Sequence, residues 1–321
     1  MISRIFSIFL LFQILFFDIQ AQAPAANADF WQSYKAFNAS YEMAGLRISD
    51  RFAAKGKALG EVTTVKEASG IVMSVKNPGM LWVHNDSGNP NVIFLLDKND
   101  GSEVARYRLN GINNIDWEDI EIGPGPDENE TYLYLADIGD NKAKRPQVQI
   151  YRFAEPVFEE AHRGKLTELE PEKEAIRLKY PDGARDAETL LLDPRTRDIY
   201  VVSKRELRVG IYIAPYPQNT EEATELRKLG NIPVMFATGG NISADGQNIL
   251  VRTYHHIYNW QRKTDEPLWE TFQRQPERLP YDPMEAQGEA ICWDDEGGYY
   301  TLSEHAKGVV PQLYYYKKQI D

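Results

Sequence analysis

From about residue 60 onward, short apolar runs alternate with turns rich in Gly, Pro and Asp, and helical periodicity is scarce. One unit recurs five times: a polar residue opens a strand, a turn follows, and a second, more apolar strand and a third strand come after it. The strand pattern has apolar residues at its third and fifth places in every unit except the fourth. The residues that open the units are Ser69, Glu118, Glu188, Asn241 and Glu289. A self-similar four-stranded unit is typical of a β-propeller, so the sequence predicts an all-β fold with five blades.

The predicted second strands are 80–84, 132–137, 199–203, 249–252 and 299–303, and the third strands are 92–96, 147–153, 210–214, 257–260 and 312–316. The last unit is about one strand short of a blade. Residues 59–66 have the pattern of a strand, and we predict that they complete this blade and close the ring, which removes exposed sheet edges. The predicted propeller domain is therefore 59–321. A six-bladed ring with a degenerate blade within 140–180 is the alternative.

The first 23 residues have the features of an export signal. Arg4 precedes an apolar run over 5–17, and Ala21-Gln22-Ala23 places small residues at the two positions that a signal peptidase reads. The run is shorter than the roughly 20 residues that a membrane span needs. We therefore expect a signal peptide over 1–23, no membrane span, and a periplasmic or secreted protein.

Residues 24–58 form a predicted N-terminal arm. Phe30, Trp31, Tyr34 and Phe37 have helix-like spacing, which predicts a short amphipathic helix packed on the propeller. A flexible spacer is the alternative.

The composition of the chain limits the kinds of molecule that it is expected to bind. The net charge of −12 disfavours nucleic acid, whose binding depends on phosphate neutralisation by Lys and Arg. The hydrophobic fraction of 42% is enough for a sizeable core and excludes wholesale disorder. The single cysteine, Cys292, excludes an intrachain disulfide. The expected partner is a small anionic molecule or a glycan, and the expected state is a monomer.

The opening residues of the five units are a candidate metal site. The first strand of each propeller blade lines the axis, so these residues converge, and three carboxylates at one place repel one another unless they are protonated or bridged by a cation. Calcium takes 6–8 oxygen ligands in irregular geometry, whereas zinc prefers His or Cys. The sequence thus predicts an axial calcium ion held by Ser69, Glu118, Glu188, Asn241 and Glu289. Hydrogen bonds from these residues to loop backbone, or a water-filled channel, are the alternatives.

The ends of the second strands bring a further polar set to one mouth of the ring. Its candidate catalytic residues, as general bases or acids, are Asp86, Asp137 and Glu304. Its candidate ligand-binding residues are His84, Lys204, Arg252 and His305, because Arg and Lys side chains bind phosphate and carboxylate groups. A network of ion pairs that ties the blades together is the alternative reading.

Several phrases resemble a known group when they are taken together: Glu67-Ala-Ser-Gly-Ile, Leu81-Trp-Val-His-Asn-Asp-Ser-Gly-Asn, Asp116-Trp-Glu-Asp-Ile, Asp137-Ile-Gly-Asp-Asn, Asp186-Ala-Glu-Thr-Leu and Gln287-Gly-Glu-Ala-Ile. The set resembles bacterial exported phytase-like β-propeller proteins, a largely uncharacterised group, from about residue 66 to 306. In that group the fourth repeat usually has an aspartate where this chain has Asn241.

The ring order Ser69, Glu118, Glu188, Asn241, Glu289 is also similar to the Ser-Glu-Glu-Ser-Glu ring of the five-bladed calcium-activated nucleotidases, the apyrases. This resemblance implies a calcium ion on the axis that helps to hold the phosphates of a substrate. It covers the ring residues alone, and the longer signatures of that family are absent, so nucleotide hydrolysis does not follow.

These observations lead to one preferred hypothesis and two rivals. The preferred one is an exported propeller with an axial calcium site and a polar mouth that binds, and as a calcium-dependent phosphohydrolase would hydrolyse, a small phosphate-ester-like ligand. The first rival is a non-catalytic scaffold that binds a glycan or peptide. The second is a glycoside hydrolase, in which the separation of two pocket carboxylates would set the stereochemistry.

Overall fold

The computed structural model describes residues 34–306 and 308–319, which are nearly all in strands and loops. Two strands, β1 (Phe37–Asn38) and β2 (Lys57–Glu61), precede the first blade. Blade 1 consists of β3 (Ala68–Met73), β4 (Met80–Asn85), β5 (Val92–Asp97) and β6 (Glu103–Leu109), with β10 (Leu166–Leu169) added in parallel outside β6. Blade 2 consists of β7 (Trp117–Pro124), β8 (Thr131–Asp137), β9 (Val148–Ala154) and β11 (Lys173–Lys179), with β15 (Thr224–Glu225) outside β11.

The remaining three sheets follow the same plan. Blade 3 consists of β12 (Ala187–Leu192), β13 (Ile199–Ser203), β14 (Val209–Ala214) and β16 (Arg227–Ile232), with β1 outside β16. Blade 4 consists of β17 (Ala237–Ile242), β18 (Asn248–Thr253), β19 (Ile257–Gln261) and β20 (Glu277–Leu279), and the short helix α1 (Leu268–Thr271) lies between its last two strands. Blade 5 consists of β21 (Gly288–Trp293), β22 (Tyr299–Ser303), β23 (Gln312–Tyr316) and β2.

The predicted five-bladed propeller is confirmed. Residues 140–180 supply β9 and β11 to blade 2 and β10 to blade 1, so they do not form a sixth blade. The ring closes as expected, because β2 pairs antiparallel with β23. The closing strand is Lys57–Glu61 rather than 59–66, so it begins inside the segment predicted as the arm.

The hydrophobic core lies between neighbouring blades. All six residues of β12 are buried, because both faces of this strand are covered. One apolar cluster joins Ile150 of blade 2 to Leu190 and Tyr212 of blade 3. Apolar residues therefore need not alternate with polar ones, as in the run of three leucines that ends β12.

The described part of the arm runs along the outer edges of the blades. β1 pairs in parallel with β16, and isolated bridges join Ile48 to Arg278 and Phe52 to Lys318. Phe37 is in a strand and not in the predicted amphipathic helix, because its backbone pairs with the unpaired edge of blade 3. Phe30, Trp31 and the expected signal peptide over 1–23 lie outside the described residues.

No helix within 34–306 and 308–319 is long and apolar enough to cross a membrane.

Candidate metal centre at the mouth of the propeller

Each innermost strand begins with a β-bulge at the same place. The register with the second strand shifts between Ala68 and Gly70, and equivalent shifts occur at the start of the other four innermost strands. The extra residues are Ser69, Glu118, Glu188, Thr238 and Glu289, all buried. A bulge re-aims the side chain of its extra residue. We call this end of the propeller, where the innermost strands begin, the mouth.

The fourth member of this set is Thr238, and not the predicted Asn241. Asn241 lies three residues further along β17, where its amide donates to Glu121 (2.8 Å) and its oxygen accepts from the backbone N–H of Trp293 (2.9 Å). The apolar pattern that marks the other openings is replaced in blade 4 by Gly239 and Gly240. The hydrophobic pattern therefore aligned the wrong polar residue.

The two polar sets predicted from the sequence lie at the same mouth. Antiparallel pairing places the end of each second strand beside the start of the first strand of its blade, as for Ser203 opposite Ala187. The backbone N–H of Lys204 accordingly donates to the carbonyl of Asp186 (3.0 Å).

Five carboxylates from three blades form two groups that share Glu118. Oxygens of Asp86, Asp116 and Glu118 lie within 4.8 Å of one another, and so do oxygens of Glu118, Asp186 and Glu188. We call these five residues the carboxylate cluster. Asp116 and Asp186 were not among the predicted site residues. The signal was the repeated Asp-x-Glu of 116–118 and 186–188, which places a second carboxylate two residues before the bulge.

Gly139 leaves room for this cluster. It follows β8, and a Cβ atom on it would collide with Glu118 Oε1 and lie 2.6 Å from Asp116 Oδ2. Any side chain here would displace the residue that both groups share.

Burial and mutual repulsion favour protonation of Glu118 and Asp116. Burial, followed by the charges of Glu188, Asp86 and Asp116, raises the pKa of Glu118 well above its usual range. Burial and the neighbouring Asp86 and Asp186 raise the pKa of Asp116 to about 6. A cation at this place would lower both pKa values, because it compensates the charges that add to the effect of burial.

Two side-chain cations of the described residues contact the cluster: Arg205 Nε donates to Asp186 Oδ2 (2.5 Å), and Lys204 Nζ donates to Glu188 Oε1. Lys204 Nζ also donates to the hydroxyl of Tyr254 (2.9 Å) and lies 5.0 Å from the centre of the Tyr254 ring. Burial opposes the charge of Lys204, but the Glu188 carboxylate raises its pKa. Burial also raises the pKa of Glu188 to about 8 despite Lys204. The second oxygen of Glu188 is buried and has no hydrogen-bond partner.

Glu289 and Glu304 extend the acidic surface toward blade 5. The Tyr254 hydroxyl donates to Glu289 Oε1 (3.3 Å), and the Gln287 amide donates to Glu304 Oε2 (2.7 Å). Burial, Asp86 and Glu67 raise the pKa of Glu304 to about 7. Glu304 is therefore suited to gain or lose a proton near neutral pH.

The raised pKa of Glu304 gives a prediction for stability. The folded protein holds this proton more tightly than the unfolded chain, so the stabilisation from Glu304 is complete below about pH 4.5 and is lost as pH rises through about 7. We expect the melting temperature to fall less between pH 5.5 and pH 8 in Glu304→Gln than in the wild type, when both are measured with chelator present. An unchanged pH profile by scanning calorimetry would contradict this assignment.

Arg252 is engaged in contacts between blades, and the anion-binding role predicted for it stays a prediction. Its guanidinium is fully buried and donates to the backbone carbonyl of Leu302 (3.1 Å), to the Tyr281 hydroxyl (2.6 Å) and to Glu285 (2.6 Å). These contacts tie blade 4 to blade 5. Here the alternative reading, an ion-pair network between blades, describes the structure.

Asp137 is similarly engaged. It is fully buried, pairs with Arg145 (2.9 Å), and accepts from the Asp116 backbone N–H (3.2 Å) and the Gln149 amide (3.1 Å). This placement fits a residue that positions the loop of Asp116 better than a catalytic base.

The two predicted histidines also differ from the expected picture. His84 is completely buried, with its ring edge-on to Trp117 at 5.9 Å, and burial lowers its pKa to about 4. It therefore does not line an open mouth. His305 is exposed, and its backbone N–H donates to the carbonyl of Lys66 (2.7 Å).

The hydroxyl members of the bulge set bind backbone. Ser69 Oγ donates to the carbonyl of Glu118 (2.6 Å), and Thr238 Oγ1 donates to the carbonyl of Gly288 (3.1 Å). The alternative reading of the ring, hydrogen bonds to neighbouring backbone, is observed for these two residues. The carboxylate members of the set, Glu118, Glu188 and Glu289, are the ones that could bind a cation.

A second group of buried polar residues, Asp119, Glu121 and Asn241, lies further along the innermost strands. Asp119 Oδ2 accepts from the backbone N–H groups of Leu190 (2.9 Å) and Gly240 (3.3 Å), so this one side chain joins blades 2, 3 and 4. Glu121 and Asn241 hydrogen-bond to each other along the same strands. Burial raises the pKa of Asp119 and of Glu121 well above their usual ranges.

Comparison with known proteins adds a likeness in fold. No family model and no curated protein sequence matches the chain. Among solved structures, an aldose sugar dehydrogenase from Streptomyces coelicolor in its PQQ-bound form has 12% sequence identity and a TM-score of 0.47, with 84% of this chain and 100% of that chain covered. A glucose dehydrogenase has 12% identity and a TM-score of 0.46, with 83% and 100% covered. These likenesses concern the propeller fold alone. The resemblance to phytase-like propellers and apyrases is not confirmed by them and stays a prediction.

Proposed function

We propose that the mouth binds a calcium ion and, through it, a small anionic ligand such as a phosphate ester. The observation that carries the proposal is the sharing of Glu118 by two groups of close carboxylates. The buried, unpartnered oxygen of Glu188 supports it independently, since a buried carboxylate oxygen without a donor or cation is costly.

Calcium fits the donor set better than other common metals. The cluster offers carboxylate oxygens on loops and bulges of three blades, which suits a hard cation that tolerates irregular geometry. Zinc and copper sites usually include His or Cys. His84 is fully buried, and its Nδ1 already hydrogen-bonds to the carbonyl of Asn85 (3.0 Å), so this nitrogen is not free to bind zinc or copper.

The contacts of Arg252 between blades 4 and 5 change how a ligand would be held. An acidic mouth repels an anion until a cation compensates its charge. Lys204 and Arg205 each supply one positive charge to the cluster, and calcium would supply two more. A bound calcium ion would polarise a phosphoryl oxygen. Glu304 and Asp86 would act beside it as proton acceptor or donor in the hydrolysis that we include in this proposal.

Two measurements, made one after the other, test the proposed function. Removal of metal by EDTA should lower the melting temperature, and calcium should restore it more effectively than magnesium at equal concentration. Calcium-loaded protein should then release phosphate from a panel of nucleotides and sugar phosphates. Saturable calcium-dependent binding without turnover would instead support the scaffold function, and release of reducing sugar from glycosides would support glycoside hydrolysis.

Gly139→Ala gives a prediction that involves no change of charge. Its new methyl group would displace Glu118 and crowd Asp116, so we expect calcium affinity to fall at least about 10-fold. Gly183→Ala is the control for adding a methyl group to a glycine, because a Cβ there meets no atom within 4 Å, and its calcium affinity should be unchanged. The positive φ of Gly183 adds a backbone cost that Gly139 does not have, so a loss confined to Gly139→Ala is due to the contact with Glu118. Equal calcium affinity of Gly139→Ala and wild type by titration calorimetry would contradict the proposed role of Gly139.

A further inference from the structure

Phe236 stands in blade 4 where the other blades have a polar residue. The residue two places before each bulge is Glu67, Asp116, Asp186, Phe236 and Gln287 in chain order. Two of these residues belong to the carboxylate cluster, and the Gln287 amide binds Glu304. By this equivalence Phe236 faces the same mouth, with an aromatic ring in place of a polar group.

The backbone of Phe236 is strained and its side chain is exposed. Its φ angle is 56°, in the left-handed region that bulky residues rarely adopt. Its exposed fraction is 42%, and the neighbouring Met235 is 43% exposed. The backbone N–H of Phe236 donates to the carbonyl of Lys204 (3.0 Å), which ties this loop to the site. Gln287, the equivalent residue of blade 5, has a φ angle of 49°, so the left-handed conformation belongs to this position of the blade. What distinguishes Phe236 is the exposed aromatic ring that this conformation holds at the mouth.

The ring of Phe236 is joined to the carboxylate cluster through Tyr254. The two ring centres are 6.5 Å apart and the planes are inclined by 38°. The hydroxyl of Tyr254 contacts Lys204 Nζ (2.9 Å) and Glu289 Oε1 (3.3 Å). An apolar, aromatic surface thus continues directly into the charged part of the mouth.

We propose that Phe236 and Tyr254 form a subsite for a ring with an apolar face, either a pyranose or a nucleobase, carried by the ligand. The anionic group of that ligand would lie at the carboxylate cluster and its calcium ion, a part of the inference that rests on the proposed function. The aromatic pair would then select ring-bearing phosphate esters over inorganic phosphate, because stacking on an aromatic side chain adds affinity without requiring charge.

The test compares Phe236→Gly with wild type on three kinds of probe. Adenosine monophosphate and glucose 6-phosphate carry both a ring and phosphate, adenosine and methyl glucoside carry the ring alone, and inorganic phosphate carries no ring. We expect Phe236→Gly to weaken binding of at least one ring-bearing phosphate about 5- to 100-fold in calcium buffer and to leave inorganic phosphate unchanged. The two ring-bearing phosphates distinguish the nucleobase from the pyranose.

Stability separates a binding role from a structural one. Glycine relieves the left-handed conformation, so the melting temperature of Phe236→Gly should stay equal or rise by about 1–3 °C. Leu207→Ala is the control, because Leu207 is 77% exposed in the loop between β13 and β14 at the same mouth. This control should bind every probe as the wild type does.

Each result supports or overturns the subsite. Equal losses for inorganic phosphate and ring-bearing phosphates, a fall in melting temperature as the only effect, or no binding of any ring-bearing probe would overturn it. Inorganic phosphate that binds with calcium while rings add no affinity would overturn the subsite and leave the proposed function standing. Phe236-dependent binding of adenosine or methyl glucoside without any effect of calcium would support the subsite and overturn the proposed function.

Discussion

Glu118→Gln is expected to lower calcium affinity by about 100-fold or more. Glu118 is the residue common to both groups of the cluster, so its neutralisation removes a charge from each group and leaves one weak amide oxygen in place of two carboxylate oxygens. Calcium titration of the chelator-treated protein by calorimetry measures the change. The metal-free variant should melt no lower than the wild type, because repulsion from Glu188, Asp86 and Asp116 contributes to the raised pKa of Glu118.

Glu121→Gln is the matched control for this prediction. Glu121 is equally buried and lies on the same strand, but it contacts Asn241 and is not part of the cluster. Calcium affinity should be unchanged, since burial already favours the neutral form of this residue. Similar losses in the two variants would show that the effect of Glu118→Gln is transmitted through the fold rather than through direct ligation.

Arg252→Met is expected to destabilise the fold by about 3–5 kcal/mol, because it leaves Glu285 buried without its partner. It also removes a donor from the carbonyl of Leu302 between the last two blades. Denaturant unfolding of the calcium-loaded protein measures the loss. The double variant Arg252→Met/Glu285→Gln should recover part of it, because no uncompensated charge is then buried.

The same experiment separates the two roles considered for Arg252. A variant that unfolds like the wild type but no longer binds phosphate esters would restore the anion-binding role predicted from the sequence. Loss of stability, with recovery in the double variant, would establish the clamp between blades 4 and 5.

The blade architecture could be predicted because each unit repeats its own strand and turn signals. The closing strand β2 was also predictable, since the fifth unit lacked a strand and a strand-like segment preceded the first unit. Its bounds were not: the strand begins at Lys57, directly after a bend at 54–55 and Gly56, and it ends at Glu61. The alignment of the fourth unit failed for a local reason. Gly239 and Gly240 carry no apolar side chains, so the pattern offered Asn241 in place of Thr238.

Sequence patterns could not predict which side chains the mouth residues contact. Lys204 lies one residue after Ser203, whereas Arg252 lies one residue before Thr253, the equivalent residue of blade 4. Lys204 therefore contacts the carboxylate cluster, and Arg252 lies in the interface between two blades. Its partners Glu285 and Tyr281 come from a loop before β21 and contact it only in the folded chain. Asp116 and Asp186, in contrast, could have been found from the repeated Asp-x-Glu spacing.

The position of calcium in crystals of the calcium-loaded protein tests the account most directly. Anomalous scattering should locate one ion at about 2.3–2.6 Å from oxygens of Glu118 and of at least one further member of the carboxylate cluster. An ion bound elsewhere on the propeller, or a mouth without calcium in which Lys204 still pairs with Glu188 at saturating calcium, would contradict the central claim.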